Sequence, residues 1–181
     1  MTALKTELET TFRTFAGAIL SHPSKLTVSL NEDPRGRGCE VAVRPWSHTD
    51  KGKLIGGQAE THRAMQIILS AVAYRRGQHC RYLILPSQTE QKDDLTPFCE
   101  VANWKPDAVL EILNTVCGHL FQDHAASASM DFERGGTLLT VSAPVLNSDA
   151  TAMVEWALNR LMHAVGNAHG RRLFVTMKAT R

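Results

Sequence analysis

Apolar residues recur every three to four positions at the start of the chain, at Leu4, Leu8, Phe12, Phe15, Ala16 and Ile19, with polar residues between them. That spacing predicts a helix that buries one face. The pattern then switches to strict alternation. "KLTVSL" (25 to 30) and "CEVAVRP" (39 to 45) flank the turn-rich "NEDPRGRG" and read as two strands of a hairpin. Helical spacing returns at Ala64, Met65, Ile68, Leu69 and Val72, and Gly77 is placed to cap that helix. "CRYLILP" (80 to 86) follows as an apolar strand.

The same order returns further along. Pro106 suits the first turn of a helix with the stripe Val109, Ile112, Leu113, Val116, Cys117 and Leu120. "ASMDFE" and "TLLTVSAP" around "RGG" predict a second hairpin. Asn147, Ser148 and Asp149 offer capping chemistry for a helix lined by Val154, Ala157, Leu158, Leu161, Met162 and Val165. "GRRLFVTM" predicts the closing strand. Between the halves, "SQTEQKDDLTPFCEVANWK" has no clear period and exceeds the usual connection inside a compact domain. The expected organisation is therefore a domain over 1–87, a linker over 88–105 and a second domain over 106–181.

Charge adds one restriction. Lys and Arg number 20 and Asp and Glu 18 in 181 residues, so nucleic-acid binding would have to come from local placement of cations. No apolar run approaches the roughly 18 residues of a membrane span. The first residues form an amphipathic pattern unlike a signal peptide, which predicts a cytoplasmic protein with no membrane association. Cys39, Cys80, Cys99 and Cys117 are scattered without a CxxC pair and are expected to be reduced thiols.

The stretch "DKGKLIGGQAETHRAMQIIL" places three glycines before the second predicted helix. Glycines at a helix start let a backbone approach closely, and amides there attract anions. Neither the GxGxxG dinucleotide fingerprint nor the GxxxxGK phosphate loop is spelled here. Within its element order the stretch resembles the type II KH domain, especially bacterial single-KH RNA-binding proteins and the KH part of Jag-type proteins. Asp50 to Ile55 match the family's short helix, Gly56, Gly57, Gln58 and Ala59 its GxxG slot, and Glu60 to Arg76 its long helix. The resemblance covers about residues 3 to 86. Ala59 stands at the final glycine, where a helical backbone tolerates a side chain and a left-handed one does not.

The resemblance implies an α+β fold of two tandem type II KH-like domains (α-β-β-α-α-β), each a three-stranded sheet with helices on one face. It further implies that about four nucleotides lie on the GxxG turn with bases over an apolar groove. Lys51, Lys53, Leu54, Ile55, Gly56, Gly57, Gln58, Ala59 and Arg63 are the implied nucleic-acid-binding residues, with Val43 beside the groove and Trp46 as a stacking candidate. The second copy is about ten residues shorter where the short helix and GxxG would fall, a loss a loop absorbs easily. It is expected to lack a clamp. Its Arg160, Arg171 and Arg172 are the cations within reach of phosphate.

Other constellations carry less. Cys117, His119 and His124 lack metal-ligand spacing, and no cysteine has the surround of a catalytic nucleophile. Trp104 and Trp156 are further aromatic candidates. The expected function is non-catalytic binding of single-stranded RNA, with DNA as a related ligand, and with no cofactor or metal. The alternative is a degenerate KH-fold module for protein interaction, as a scaffold or homodimer.

Overall fold

The computed structural model describes residues 2–32, 38–89, 105–121, 126–133, 136–144 and 148–180. The first half runs α1 (Thr2–Ile19), β1 (Thr27–Glu32), β2 (Gly38–Arg44), α2 (His48–Ile55), α3 (Glu60–Tyr74) and β3 (His79–Ile84). The second runs α4 (Pro106–Leu120), β4 (Ser127–Glu133), β5 (Gly136–Pro144), α5 (Ser148–Ala168) and β6 (Leu173–Thr180). The chain is thus an α+β protein with two three-stranded sheets, ordered β1-β2-β3 and β4-β5-β6. In both, the first pair is antiparallel and the second parallel.

Boundaries differ from the periodic reading where local chemistry intervenes. β1 starts later than expected because Pro23–Lys25 forms a 3-10 turn, closed by the Leu26 amide on the Pro23 carbonyl. β6 starts at Leu173 because Gly170, at φ +65°, and the Arg171 amide bonding back to the Gly166 carbonyl finish the end of α5. Gly77, at φ +67°, caps α3 as its position predicts. Residues 90–104 of the expected linker lie outside the described residues. Its first residues do not leave the sheet: the Gln88 and Thr89 amides bond to the Pro45 and Trp46 carbonyls.

One face of each sheet is apolar and meets the helices. Val28, Leu30, Val41, Val43, Tyr82 and Ile84 point inward from the first sheet; Leu139, Val141, Ala143 and Val175 do so from the second. The helices of the two halves pack on one another, α3 against α5 and α1 against α4 and α5, so a single buried cluster runs through both. Phe12, Phe15, Met65, Ile68, Leu113, Leu158, Leu161 and Met162 are among its largest fully buried members.

Both halves treat the parallel edge strand alike. On β3, Gln66 of α3 accepts the Tyr82 amide at 2.7 Å and donates to the Cys80 carbonyl at 2.8 Å. On β6, Asn159 of α5 accepts the Val175 amide at 3.2 Å, and Glu155 accepts that of Met177. Helix side chains thus satisfy backbone groups that an edge strand would otherwise leave open. Among the described residues, no helix is long and apolar enough to cross a membrane.

Candidate nucleic-acid interface

Ser47 starts α2 by accepting the Asp50 amide on its side chain at 3.2 Å, an N-cap geometry. The helix ends at Gly56, whose φ of 72° and ψ of 171° lie in a region essentially restricted to glycine. Gly56 also has no room for a side chain, because a Cβ there would collide with Thr61. Gly57 to Ala59 then make one 3-10 turn, with the Ala59 amide on the Gly56 carbonyl at 3.2 Å. Within it Gln58 (φ 52°, ψ 26°) and Ala59 (φ 61°, ψ 24°) are both left-handed. α3 leaves immediately from Glu60.

Two consecutive non-glycine residues in the left-handed region carry strain of about 1–2 kcal/mol each. Gln58 is exposed, Ala59 half-exposed, and neither position is forced by side-chain packing into the core. The strain is therefore held on the surface by the two helices. Ala59 sits in a left-handed conformation that glycine adopts more readily than alanine.

The implied site residues divide into three groups. Gly57 and Gln58 are exposed on the turn, and a Cβ on Gly57 would meet nothing within 4 Å. Lys51 and Ile55 of α2 and Arg63 of α3 flank it, Arg63 exposed and the others half-exposed. Among the described residues, the side chains of Lys51 and Arg63 make no hydrogen bond or ion pair. Lys53 is different: its Nζ donates to Ser21 Oγ at 2.7 Å. Leu54 and Val43 belong to the buried core, so they support the turn from beneath and offer no open groove wall. Trp46 is half-buried, with Lys25 Nζ 4.3 Å from its ring centroid.

In the second half the expected absence of a clamp falls on residues 145–147, which separate β5 from α5 and lie outside the described residues. Asn147 lies among them, as Trp104, Cys99 and His124 lie in other undescribed stretches. The second half nevertheless reaches the turn. Arg160 of α5 pairs with Glu60, the first residue of α3, at 3.3 Å, and lies 5.9 Å from the exposed Trp156 ring.

Sequence reasoning missed what anchors α2. Asp50 is fully buried, and its carboxylate accepts the Ser21 amide at 2.7 Å and the His22 amide at 3.3 Å. His22 Nδ1 also lies 3.3 Å from it. The stretch joining α1 to β1 is thereby tied to the helix that carries the turn. The signal was present in "SHTD", a serine followed three residues later by an acid. The start of α3 is fixed separately by His62, which stacks on Tyr82 with centroids 5.0 Å apart.

Cys117 and His119 have surroundings other than a metal. Cys117 is buried, and burial pushes its thiol up to about 12. His119 Nδ1 is 2.7 Å from Thr11 Oγ1, joining α4 to α1. Among the described residues, no three His, Cys, Asp or Glu side chains are grouped to hold a metal ion. No protein-family model matches the chain, and no curated protein sequence matches it.

Proposed function

We propose that the chain is a non-catalytic binder of single-stranded nucleic acid, RNA before DNA, built from two tandem type II KH-like units of which only the first carries a working turn. The observation that carries this reading is the Gly56–Ala59 turn itself. A surface turn that holds two non-glycine residues left-handed between two helices is a pre-organised backbone, and such strain concentrates at ligand sites. Lys51 and Arg63, with uncommitted side chains, stand where phosphates passing over the turn would be neutralised. The shared strand order and directions of the two halves support the tandem reading.

A filter-binding titration with mixed RNA pools at two salt concentrations tests the proposal. The parent should bind, more weakly at the higher salt. The double substitution Gly57→Asp with Gln58→Asp places two carboxylates on the turn and should remove most binding while the protein stays folded. Parent-like binding by the folded double mutant would overturn it.

The competing reading is a protein-interaction module that keeps the turn for structure. Two observations favour it: Lys53 is engaged with Ser21, and no cation sits on residues 56 to 59. It predicts no salt-dependent RNA retention by the parent.

A further inference from the structure

Three large apolar side chains left exposed, Tyr74 at 76%, Met153 at 54% and Trp156 at 38%, stand along one seam, where α3 packs against α5. The two helices run antiparallel there. Arg160 of α5 pairs with Glu60 at the start of α3, and Met153, about two turns earlier on α5, lines a groove with Tyr74 at the end of α3. The spacing of Glu60, Arg63, Ile67 and Tyr74 puts all four on one face of α3, and that of Met153, Trp156 and Arg160 does the same on α5. The groove encloses about 300 Å³ between Ile67, Ala71, Tyr74, His79 and Met153 and opens to solvent. The other end of the seam is the Gly56–Ala59 turn, because Glu60 follows Ala59 directly.

We infer that a single strand of RNA crossing the Gly56–Ala59 turn continues along this seam, with one base stacked on Trp156, a following base in the groove against Tyr74, and its phosphates met by Arg63 and Arg160. The inference rests on the nucleic-acid reading above and extends it, because α5 then supplies the site with a platform and a cation from the second half. Charge and ring faces alternate in the order such a strand needs. Arg63 is exposed beside the turn, and its side chain makes no hydrogen bond or ion pair among the described residues. Arg160 lies 5.9 Å from the Trp156 ring centroid, and its bond to Glu60 leaves most of its five N–H donors for a phosphate. That pair also neutralises Glu60, the acid at the turn end; the other acid on the seam, Asp149, stands in the first turn of α5 beyond the groove. A guanidinium beside an aromatic face suits a phosphate next to a stacked base. A purely apolar partner would cover the rings but desolvate Arg63 without an acid to meet it. Every base has a π-face, so the seam lengthens the site and adds affinity without reading sequence.

The chain has three tryptophans, so Trp46→Phe with Trp104→Phe leaves Trp156 as the single reporter. That protein is titrated with a mixed-sequence single-stranded RNA pool of about 12 nucleotides, followed by tryptophan fluorescence and by filter binding. The expected result is quenching of Trp156 with the same midpoint as retention on the filter. In the otherwise unchanged chain, Trp156→Ala should weaken binding about tenfold or more and Trp156→Phe should restore most of it, while Arg160→Gln should reduce the log-affinity versus log-salt slope by about 0.7. The quench is read with Trp156 in place, so it decides the matter even where the alanine variant does not fold. The turn and the seam fail separately. Binding lost in the folded Gly57→Asp, Gln58→Asp protein but parent-like in Trp156→Ala, with no quench, would overturn the seam and leave the turn; binding lost in Trp156→Ala but parent-like in the turn mutant would overturn the turn and leave the seam. No retention of RNA by the parent would overturn both. A concentration-dependent dimer in sedimentation that Trp156→Ala abolishes, with no quench by RNA, would overturn the seam as an RNA path and give this face to a second copy of the chain.

Discussion

Gly56 and Thr61 are packed so closely that a Cβ on the glycine would lie 2.8 Å from the threonine Cβ and collide with its hydroxyl. Thr61 is itself buried and cannot swing away. Gly56→Ala therefore forces an L side chain both into occupied space and into a backbone region it avoids. Overpacking and left-handed strain together predict a loss of about 2–4 kcal/mol, read as a lower urea midpoint. Gly57→Ala, which meets open space, should move the midpoint little.

Ala59→Gly should act in the opposite direction. Relief of left-handed strain is worth about 1–2 kcal/mol, and the extra entropy of an unfolded glycine returns about 0.5–1 kcal/mol of it. A gain of about 0.5–1 kcal/mol is expected, as a higher urea midpoint at unchanged slope. A fall in stability would mean that the turn relaxes away from its left-handed form.

Much of this geometry could be read before the structure was seen. The stripes on α1, α3, α4 and α5 and the alternation in the strands follow from burial of one face, and that periodicity survives any tertiary arrangement. The helical turn could be located because glycines at 52, 56 and 57 interrupt the pattern. Its conformation could not: left-handed Gln58 and Ala59 contradict local preference, and only the helices on either side impose it. Lys53 looked like a free cation because its partner, Ser21, lies 32 residues away. Leu54 looked like a groove wall because apolar periodicity does not distinguish a core floor from an open surface.

The cations should separate by their partners. Arg63→Ala and Lys51→Ala each remove an uncommitted charge, so each should reduce the log-affinity versus log-salt slope by about 0.7 while leaving the melting temperature nearly unchanged. Lys53→Ala removes the hydrogen bond to Ser21. It should lower stability by about 1 kcal/mol and change the slope less. Equal slopes for the parent and Arg63→Ala would show that this flank does not meet phosphate.

Gln66 and Asn159 make the edge-strand prediction. Gln66→Leu strands the Tyr82 amide and leaves the Cys80 carbonyl to the Ser70 hydroxyl at 3.3 Å, for an expected loss of about 1–3 kcal/mol; Asn159→Leu strands the Val175 amide and should be milder. Because the two positions cap different sheets and share no partner, the double substitution should equal the sum within about 0.5 kcal/mol. Denaturant titrations of the four proteins measure this directly.

His119 should set an acid limit on the contact between the halves. Burial depresses its imidazole below the ordinary 6.5, with the Glu7 carboxylate partly opposing, because α4 and α1 enclose the ring and Thr11 bonds its Nδ1. Other charges meet nearby: Arg76 pairs with Glu7 at 2.6 Å, and Arg75 donates to the His119 carbonyl. In the unfolded chain the ring takes a proton near 6.5, whereas in the fold it resists doing so. Its contribution to stability is therefore complete above that pH and is lost as the pH falls through the depressed folded value. Between about pH 7.5 and pH 5.5 the parent should lose melting temperature faster than His119→Asn, which keeps a polar group near Thr11 without the titration. Parallel curves for the two proteins would show that His119 titrates as it does in the unfolded chain.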